Sequence, residues 1–149
     1  MELGDPVRGV LDQKGWGAQS IGPDQSVYEA IESMAHHGVG ALVVLDGELL
    51  AGVFSERDYA RKVILEGRNS RGTRVRDIMS SHVITVTPDA TVDHCMHLMS
   101  EHRIRHLPVM TGDRVAAVVS QGDLVKWIIS RQRETIDHLQ HYITGGYMR

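Results

Sequence analysis

The fold is decided by two stretches of sequence, PDQSVYEAIESMAHHGVGALVVLDGELLAGVFSERDYARKV (residues 23–63) and PDATVDHCMHLMSEHRIRHLPVMTGDRVAAVVSQGDLVKWI (residues 88–128). Shifted by 65 residues, they align without a gap and are identical at 12 of 41 positions. The identities include a central glycine, Gly47 or Gly112, and a Ser-x-x-Asp near the end, which a shared hydrophobic pattern alone does not explain. A repeat at a fixed period indicates an internal duplication. We call these stretches the first copy and the second copy.

Each copy predicts the same order of elements. After the Pro-Asp turn, apolar residues that start at Val27 and Val92 recur at the spacing of an amphipathic helix. Two short apolar runs joined by a Gly-containing turn then predict a β-hairpin. A serine N-cap, Ser55 or Ser120, opens a closing helix. With a strand near residues 85–87 ahead of the second copy, the unit is strand-helix-strand-strand-helix, and the fold class is α/β (α+β).

The flanking segments complete this organisation. Short lead-in helices are predicted at residues 7–11 and 75–79, where a valine is followed by two apolar residues after a gap of two. We predict the first repeat with its lead-in at residues 1–66, a linker at 67–74, the second repeat at 75–130, and a C-terminal helix extension and tail at 131–149, the helix stopping at Gly145-Gly146. A unit of about 60 residues buries little surface by itself, so the two copies are expected to pack together as one body.

Composition excludes several classes of protein. The chain has 149 residues, is 42% hydrophobic and carries 16 basic against 19 acidic residues, a formal net charge of −3. This is the composition of a globular protein, and it does not favour a dedicated nucleic-acid binder. The single cysteine, Cys95, cannot form an intramolecular disulfide, and there is no apolar run long enough for a signal peptide or a membrane span. We therefore expect a cytoplasmic protein with no nucleic-acid or membrane partner.

Three motifs are similar to those of tandem cystathionine-β-synthase (CBS) domains, the Bateman module: residues 55–58 (SERD), 120–123 (SQGD) and 104–109 (IRHLPV). The resemblance covers roughly residues 7–130. The sequence of residues 142–147 is similar to that of small stand-alone pairs from bacteria and plant organelles. The resemblance implies a pseudo-twofold module with two clefts between the copies, which bind an adenine nucleotide: AMP first, with ADP, ATP, NAD or S-adenosylmethionine as alternatives. It also implies a homodimer formed through helix faces.

The resemblance implies that the first cleft combines Ser55, Asp58, Ile84, Arg105, His106 and Pro108. In it the aspartate accepts hydrogen bonds from the ribose hydroxyls, the serine helps to hold the sugar, and Ile84 lines the base. Arg105 and His106 are donors for phosphate. Two plainer interpretations stay open. A serine N-cap with an acidic first turn stabilises a helix without any ligand, and charged residues at the start of a strand are often only solvated.

The second cleft, by the same resemblance, combines Gln19, Gly40, Ala41, Val43, Arg57, Ser120 and Asp123. It lacks the Arg-His pair, and Arg57 is its obvious cation. Arg57 has an alternative role as a first-turn charge that pairs with Glu56 or Asp58. This cleft is accordingly expected to hold a nucleoside, a dinucleotide or nothing.

Other chemistry finds little support in the sequence. His94, Cys95, His97 and His102 lie close together, but Cys95 falls on the buried stripe of its helix and His94 and His97 face outward, so no metal site is expected. No catalytic constellation is evident, so we predict that the chain is not an enzyme. Two functions remain. One is an adenine-nucleotide sensor for signal transduction or energy sensing that acts on a protein partner, and the other is a scaffold that regulates a redox or metabolic enzyme with little ligand dependence.

Overall fold

The computed structural model describes residues 4–141, which form a mixed α/β fold. The elements in chain order are α1 (Val7–Lys14), β1 (Ser20–Ile21), α2 (Val27–His37), β2 (Ala41–Asp46), β3 (Leu49–Ser55), α3 (Glu56–Asp58) with a π-helical continuation (Tyr59–Ile64), α4 (Val75–Ile78), α5 (Val92–His102), β4 (His106–Thr111), β5 (Arg114–Ser120) and α6 (Gln121–His141). The predicted α/β class and the helix-hairpin-helix order of both copies are confirmed. The predicted helix stop at Gly145-Gly146 lies outside the described residues.

The first helix of each copy begins at a hydroxyl side chain that caps its N-terminus. The hydroxyl of Ser26 accepts a hydrogen bond from the Glu29 N–H at 3.1 Å, and that of Thr91 accepts one from the His94 N–H at 3.0 Å. Each bond satisfies an amide that has no partner within its helix. The helices α2 and α5 that follow are both 11 residues long.

The two hairpins differ in whether a third strand pairs with them. In the first copy β1 pairs parallel with β2, which pairs antiparallel with β3. In the second copy β4 and β5 form a two-stranded sheet, and the predicted strand near residues 85–87 is reduced to a bridge between Val86 and Val109. The reason is Pro108. Its counterpart Val43 donates its N–H to the Gln19 carbonyl at 3.1 Å, and a proline has no N–H to donate.

Each lead-in helix binds the Pro-Asp turn of the other copy. From α1, the Val7 N–H donates to the Ala90 carbonyl at 2.7 Å, and from α4 the Val75 N–H donates to the Gln25 carbonyl at 2.9 Å. An ion pair accompanies each: Arg8 with Asp89 at 2.9 Å, and Arg76 with Asp24 at 2.7 Å. The order of the elements along the chain therefore differs from their grouping in space.

The described chain forms two compact units. One contains residues 4–15, 88–107 and 119–141, and the other contains residues 16–87 and 108–118. The core of the second of these contains Ile21, Val27, Ala30, Met34, Leu42, Val44, Phe54, Val63, Val75 and Ile78. In the other, the buried apolar residues include Val7, Val10, Leu11, Val92, Cys95, Met99, Val119 and Leu124. The apolar stripes predicted for α2 and α5 thus supply core residues, while the predicted domain boundaries along the sequence stay a prediction.

One close backbone approach depends on Gly52 in β3. A Cβ atom at this position would lie 2.8 Å from the Ser80 carbonyl oxygen and 2.7 Å from the Met79 sulfur. The N–H and carbonyl of the neighbouring Val53 exchange hydrogen bonds with Ser80, both at 2.9 Å, which fixes that backbone in place. Gly52 is therefore the residue that allows the segment after α4 to lie against β3.

We predict that Gly52→Ala lowers the free energy of unfolding by about 1–3 kcal/mol, because the added methyl group collides with backbone that cannot move freely. Denaturant titration measures the change. Gly122→Ala is the matched control, since its Cβ would meet nothing closer than the Ser120 hydroxyl oxygen at 3.6 Å, and the helix start tolerates alanine. Equal stabilities of the two variants would show that the approach of Ser80 does not require a glycine.

Candidate functional site

The Ser55-x-x-Asp58 motif forms a capping box at the start of α3. The Asp58 N–H donates to the Ser55 hydroxyl oxygen at 3.2 Å, and the Ser55 N–H donates to Asp58 Oδ2 at 3.0 Å. The Ser55 hydroxyl also donates to Oδ2, at 3.0 Å. The capping interpretation of this motif is therefore confirmed, and it places a buried carboxylate at a helix N-terminus, where the helix dipole favours negative charge.

The other oxygen of Asp58 also has two partners. Oδ1 accepts a hydrogen bond from the Ser80 hydroxyl at 3.2 Å and forms an ion pair with Lys62 Nζ at 3.0 Å. The same Lys62 ammonium donates to the Ile78 carbonyl at 3.1 Å. The carboxylate is thus the centre of a small polar cluster that includes the segment after α4.

The second motif has the same cap and a different cation. The Ser120 N–H donates to Asp123 Oδ2 at 2.8 Å, and the Asp123 N–H donates to the Ser120 hydroxyl oxygen at 3.1 Å. Lys14, at the end of α1, lies 2.7 Å from the same Oδ2. The sequence predicts Arg57 as the cation of this site and gives no sign of Lys14, because only the packing of α1 on the second copy brings Lys14 to Asp123.

The charge of Asp123 is stabilised against the cost of its partial burial. Burial raises the pKa of its carboxyl. The hydrogen bonds from Lys14 and the Ser120 N–H, together with the charge of Lys14, lower this pKa by more than burial raises it. The net result is a pKa below the usual range of aspartate. Asp123 is therefore an anion at neutral pH.

The residues before each hairpin lie beside these caps. The Gly40 carbonyl accepts from the Glu56 N–H at 3.1 Å, and the Arg105 carbonyl accepts from the Gln121 N–H at 2.8 Å. Gly40 is thus bonded next to Ser55, and Arg105 is bonded next to Ser120. The resemblance predicts Gly40 in the cleft of Asp123 and Arg105 in the cleft of Asp58, whereas these backbone bonds place each of them beside the cap of its own copy.

The remaining predicted residues differ in exposure. Gln19 and Arg105 are exposed, and Ile84, His106 and Arg57 are half-buried. The equivalent residues Val43 and Pro108 are buried in their strands, as is Ala41. Because each predicted cleft draws on both compact units, its assembly stays a prediction.

Metal and membrane sites find no support in the described part of the chain. Among residues 4–141, no three His, Cys, Asp or Glu side chains lie close enough to share a metal ion. Cys95 is buried, which raises the pKa of its thiol to about 11. No helix within the same range is long and apolar enough to cross a bilayer.

Comparison with known proteins gives consistent matches. A family model described as "CBS domain" matches residues 18–65 and 75–130. The CBS domain-containing protein CBSX3, mitochondrial, of Arabidopsis thaliana is 46% identical over 129 residues, a match that covers 83% of this chain but 63% of the plant protein, less than two thirds of its length. The CBS domain-containing protein YhcV of Bacillus subtilis is 31% identical over 105 residues, which cover 70% of this chain and 74% of YhcV. The solved structure of a protein with CBS domains from Burkholderia ambifaria has a TM-score of 0.82 at 45% identity and covers 85% of this chain and 96% of that one. The resemblance seen in the sequence motifs is confirmed.

We predict that Lys14→Met raises the pKa of the Asp123 carboxyl, because the burial effect is then opposed by the serine alone. In the wild-type chain the folded pKa is below the unfolded value of about 3.9. Asp123 therefore contributes stability above that pH, which is lost as the pH falls through the folded pKa. The variant should retain less of this acid-sensitive stability.

A carbon-13 NMR titration of the aspartate carboxyl groups checks this result directly, and acid unfolding checks its consequence. Lys126→Met is the matched control, because Lys126 is an exposed lysine on the same helix as Asp123. A pKa of Asp123 that is the same in Lys14→Met as in the control would contradict the role given to Lys14.

Proposed function

Because the chain belongs to the CBS-domain family, we propose that it is a non-enzymatic module that binds an adenine nucleotide and transmits its occupancy to a protein partner. CBS domains are in general nucleotide-binding regulatory modules. The observation that carries the proposal is the pair of Ser-x-x-Asp helix starts, which hold two carboxylates in the same capping geometry. A carboxylate accepts hydrogen bonds from both hydroxyls of a ribose, which a deoxyribose cannot supply.

We assign the site residues as the sequence analysis predicted. One cleft combines Ser55, Asp58, Ile84, Arg105, His106 and Pro108, and the other combines Gln19, Gly40, Ala41, Val43, Arg57, Ser120 and Asp123. The exposure of Arg105 supports a role in binding phosphate, since the residue is accessible to a ligand. Lys14 joins the second set, because its ammonium already lies at the Asp123 carboxylate. AMP is the proposed ligand, with NAD and ATP as alternatives.

Regulation follows from differential binding. A ligand changes the balance between two arrangements of a protein only by as much as it prefers one of them. The proposed module is a homodimer that acts on a protein partner. A scaffold that works without a ligand is the competing function, and no contact within residues 4–141 favours it. The cytoplasmic location also stays a prediction, since the Arabidopsis relative is described as mitochondrial.

We predict that AMP, ADP, ATP or NAD raises the melting temperature. A ligand that binds only the folded chain adds about 2.7 kcal/mol at 100 times its dissociation constant, which corresponds to several degrees for a domain of this size. A thermal-shift panel measures the effect, with guanine and cytosine nucleotides as controls. A transition that no adenine nucleotide moves at millimolar concentration would leave the scaffold as the better function.

We predict that Arg105→Ala weakens AMP binding about tenfold or more and leaves adenosine binding nearly unchanged. The substitution removes a charge-assisted hydrogen bond to phosphate, worth about 1.5–3 kcal/mol, and no contact to the sugar. Isothermal titration calorimetry with both ligands gives the two affinities. Arg133→Ala, which removes an exposed arginine in the distal half of α6, is the control. Equal losses for AMP and adenosine would refute a phosphate role for Arg105.

A further inference from the structure

We propose that Lys62 and Ser80 form a latch that closes the Asp58 carboxylate to a ribose, so that Asp123 is the carboxylate that accepts a ribose hydroxyl first. The inference rests on the proposed function, which makes these two carboxylates the groups that bind the sugar. It concerns how readily each carboxylate can accept a hydrogen bond from a ribose hydroxyl.

The hydrogen bonds to the two carboxylates are unequal in number. A carboxylate has about four lone-pair positions for donors. Asp58 receives four donors, two from Ser55 on Oδ2 and one each from Ser80 and Lys62 on Oδ1. Asp123 has three such partners, the N–H and the side chain of Ser120 and the ammonium of Lys14, and the bonds from the Ser120 N–H and from Lys14 both end on Oδ2. A ribose hydroxyl therefore meets one donor fewer at Asp123, whereas at Asp58 all four positions are taken and it has to replace a donor that is already present.

Two sets of contacts hold the latch closed. The backbone of Ser80 is fixed by its pair of hydrogen bonds to Val53, which keeps its hydroxyl within reach of Asp58. Lys62 is bound at two points, Asp58 Oδ1 and the Ile78 carbonyl. Its side chain is 39% exposed and carries the ammonium group on a flexible four-carbon stem. Lys62 is thus the part of the latch that opens.

The latch is encoded in one copy only. The aligned position of Lys62 in the second copy is Trp127, whose indole N–H donates to the Asp5 carboxylate at 3.1 Å. The cation at Asp123 comes instead from Lys14 on α1 and shares the oxygen that Ser120 already uses. The duplication therefore carries two helix caps of equal geometry whose free acceptor capacity differs.

Adenosine is the probe that isolates this difference, because it carries the ribose without a phosphate that Lys62 would attract. Calorimetry on Asp123→Ala leaves Asp58 as the carboxylate to be tested. In that background we expect Lys62→Met to bind adenosine about two- to fivefold more tightly, the range set by partly exposed ion pairs. Lys62→Gln, which keeps a neutral donor, should give a smaller gain and provides a second variant if methionine perturbs folding.

Two controls separate the latch from a general effect on stability. Arg61→Met removes the neighbouring exposed cation and should leave adenosine affinity unchanged. The gain in Lys62→Met should also vanish with 2′,3′-dideoxyadenosine, which lacks the 2′- and 3′-hydroxyls that would compete for Asp58. A gain that persists with the dideoxy ligand, or an unchanged or weaker affinity in Lys62→Met, would overturn the latch.

The same titrations distinguish failure of the latch from failure of the proposed function. If Asp58→Ala, with Asp123 intact, binds adenosine and Lys62→Met has no effect at Asp58, the latch is wrong and the nucleotide function stands. If neither aspartate supports binding of adenosine, AMP or NAD in any variant, both are wrong. If the Asp58 site binds adenosine only after Lys62→Met, both are supported.

Discussion

The backbone hydrogen bonds between each lead-in helix and the Pro-Asp turn of the other copy are the constraint on which the rest of the structure depends. They bring Val7 to Ala90 and Val75 to Gln25 with the same geometry. The polar groups around both carboxylates follow from this exchange, because Lys14 ends one lead-in helix and Ser80 follows the other. Each helix cap is therefore made by local sequence, and each is completed by a residue that arrives from far along the chain.

The parts of the fold that depend on local chemistry could be predicted from the sequence. Helix starts at Ser26, Ser55 and Ser120 are set by hydrogen bonds that reach three residues along the chain, and the hairpins are set by apolar runs around a glycine turn. The capping role of the Ser-x-x-Asp motifs was one of two interpretations open at that level. The shortened strand before the second copy also has a local cause, Pro108, which the strand prediction did not take into account.

The partners that depend on the path of the chain could not be predicted in this way. Lys14 and Asp123 are separated by 109 positions, and nothing in the periodicity of α1 indicates that its end reaches the second copy. The contact of Ser80 with Asp58 likewise depends on Gly52, whose counterpart in the second copy is Ala117. Alignment of the two copies shows that Gly52 is replaced by Ala117, but the effect of this difference is known only when the residues that pack against Gly52 are known. The absence of an Arg-His pair from the second cleft is visible in the sequence, but the different donors at Asp58 and Asp123 can be recognised only in the structure.

The exchange of lead-in helices also bears on how such a chain arises in evolution. A single ancestral copy with one lead-in helix would have had to obtain the matching helix from a second molecule, as domain-swapped dimers do. Gene duplication and fusion then convert an exchange between molecules into one within a molecule. After fusion, each half is free to acquire its own residues beside the common cap, as Lys62 and Trp127 illustrate.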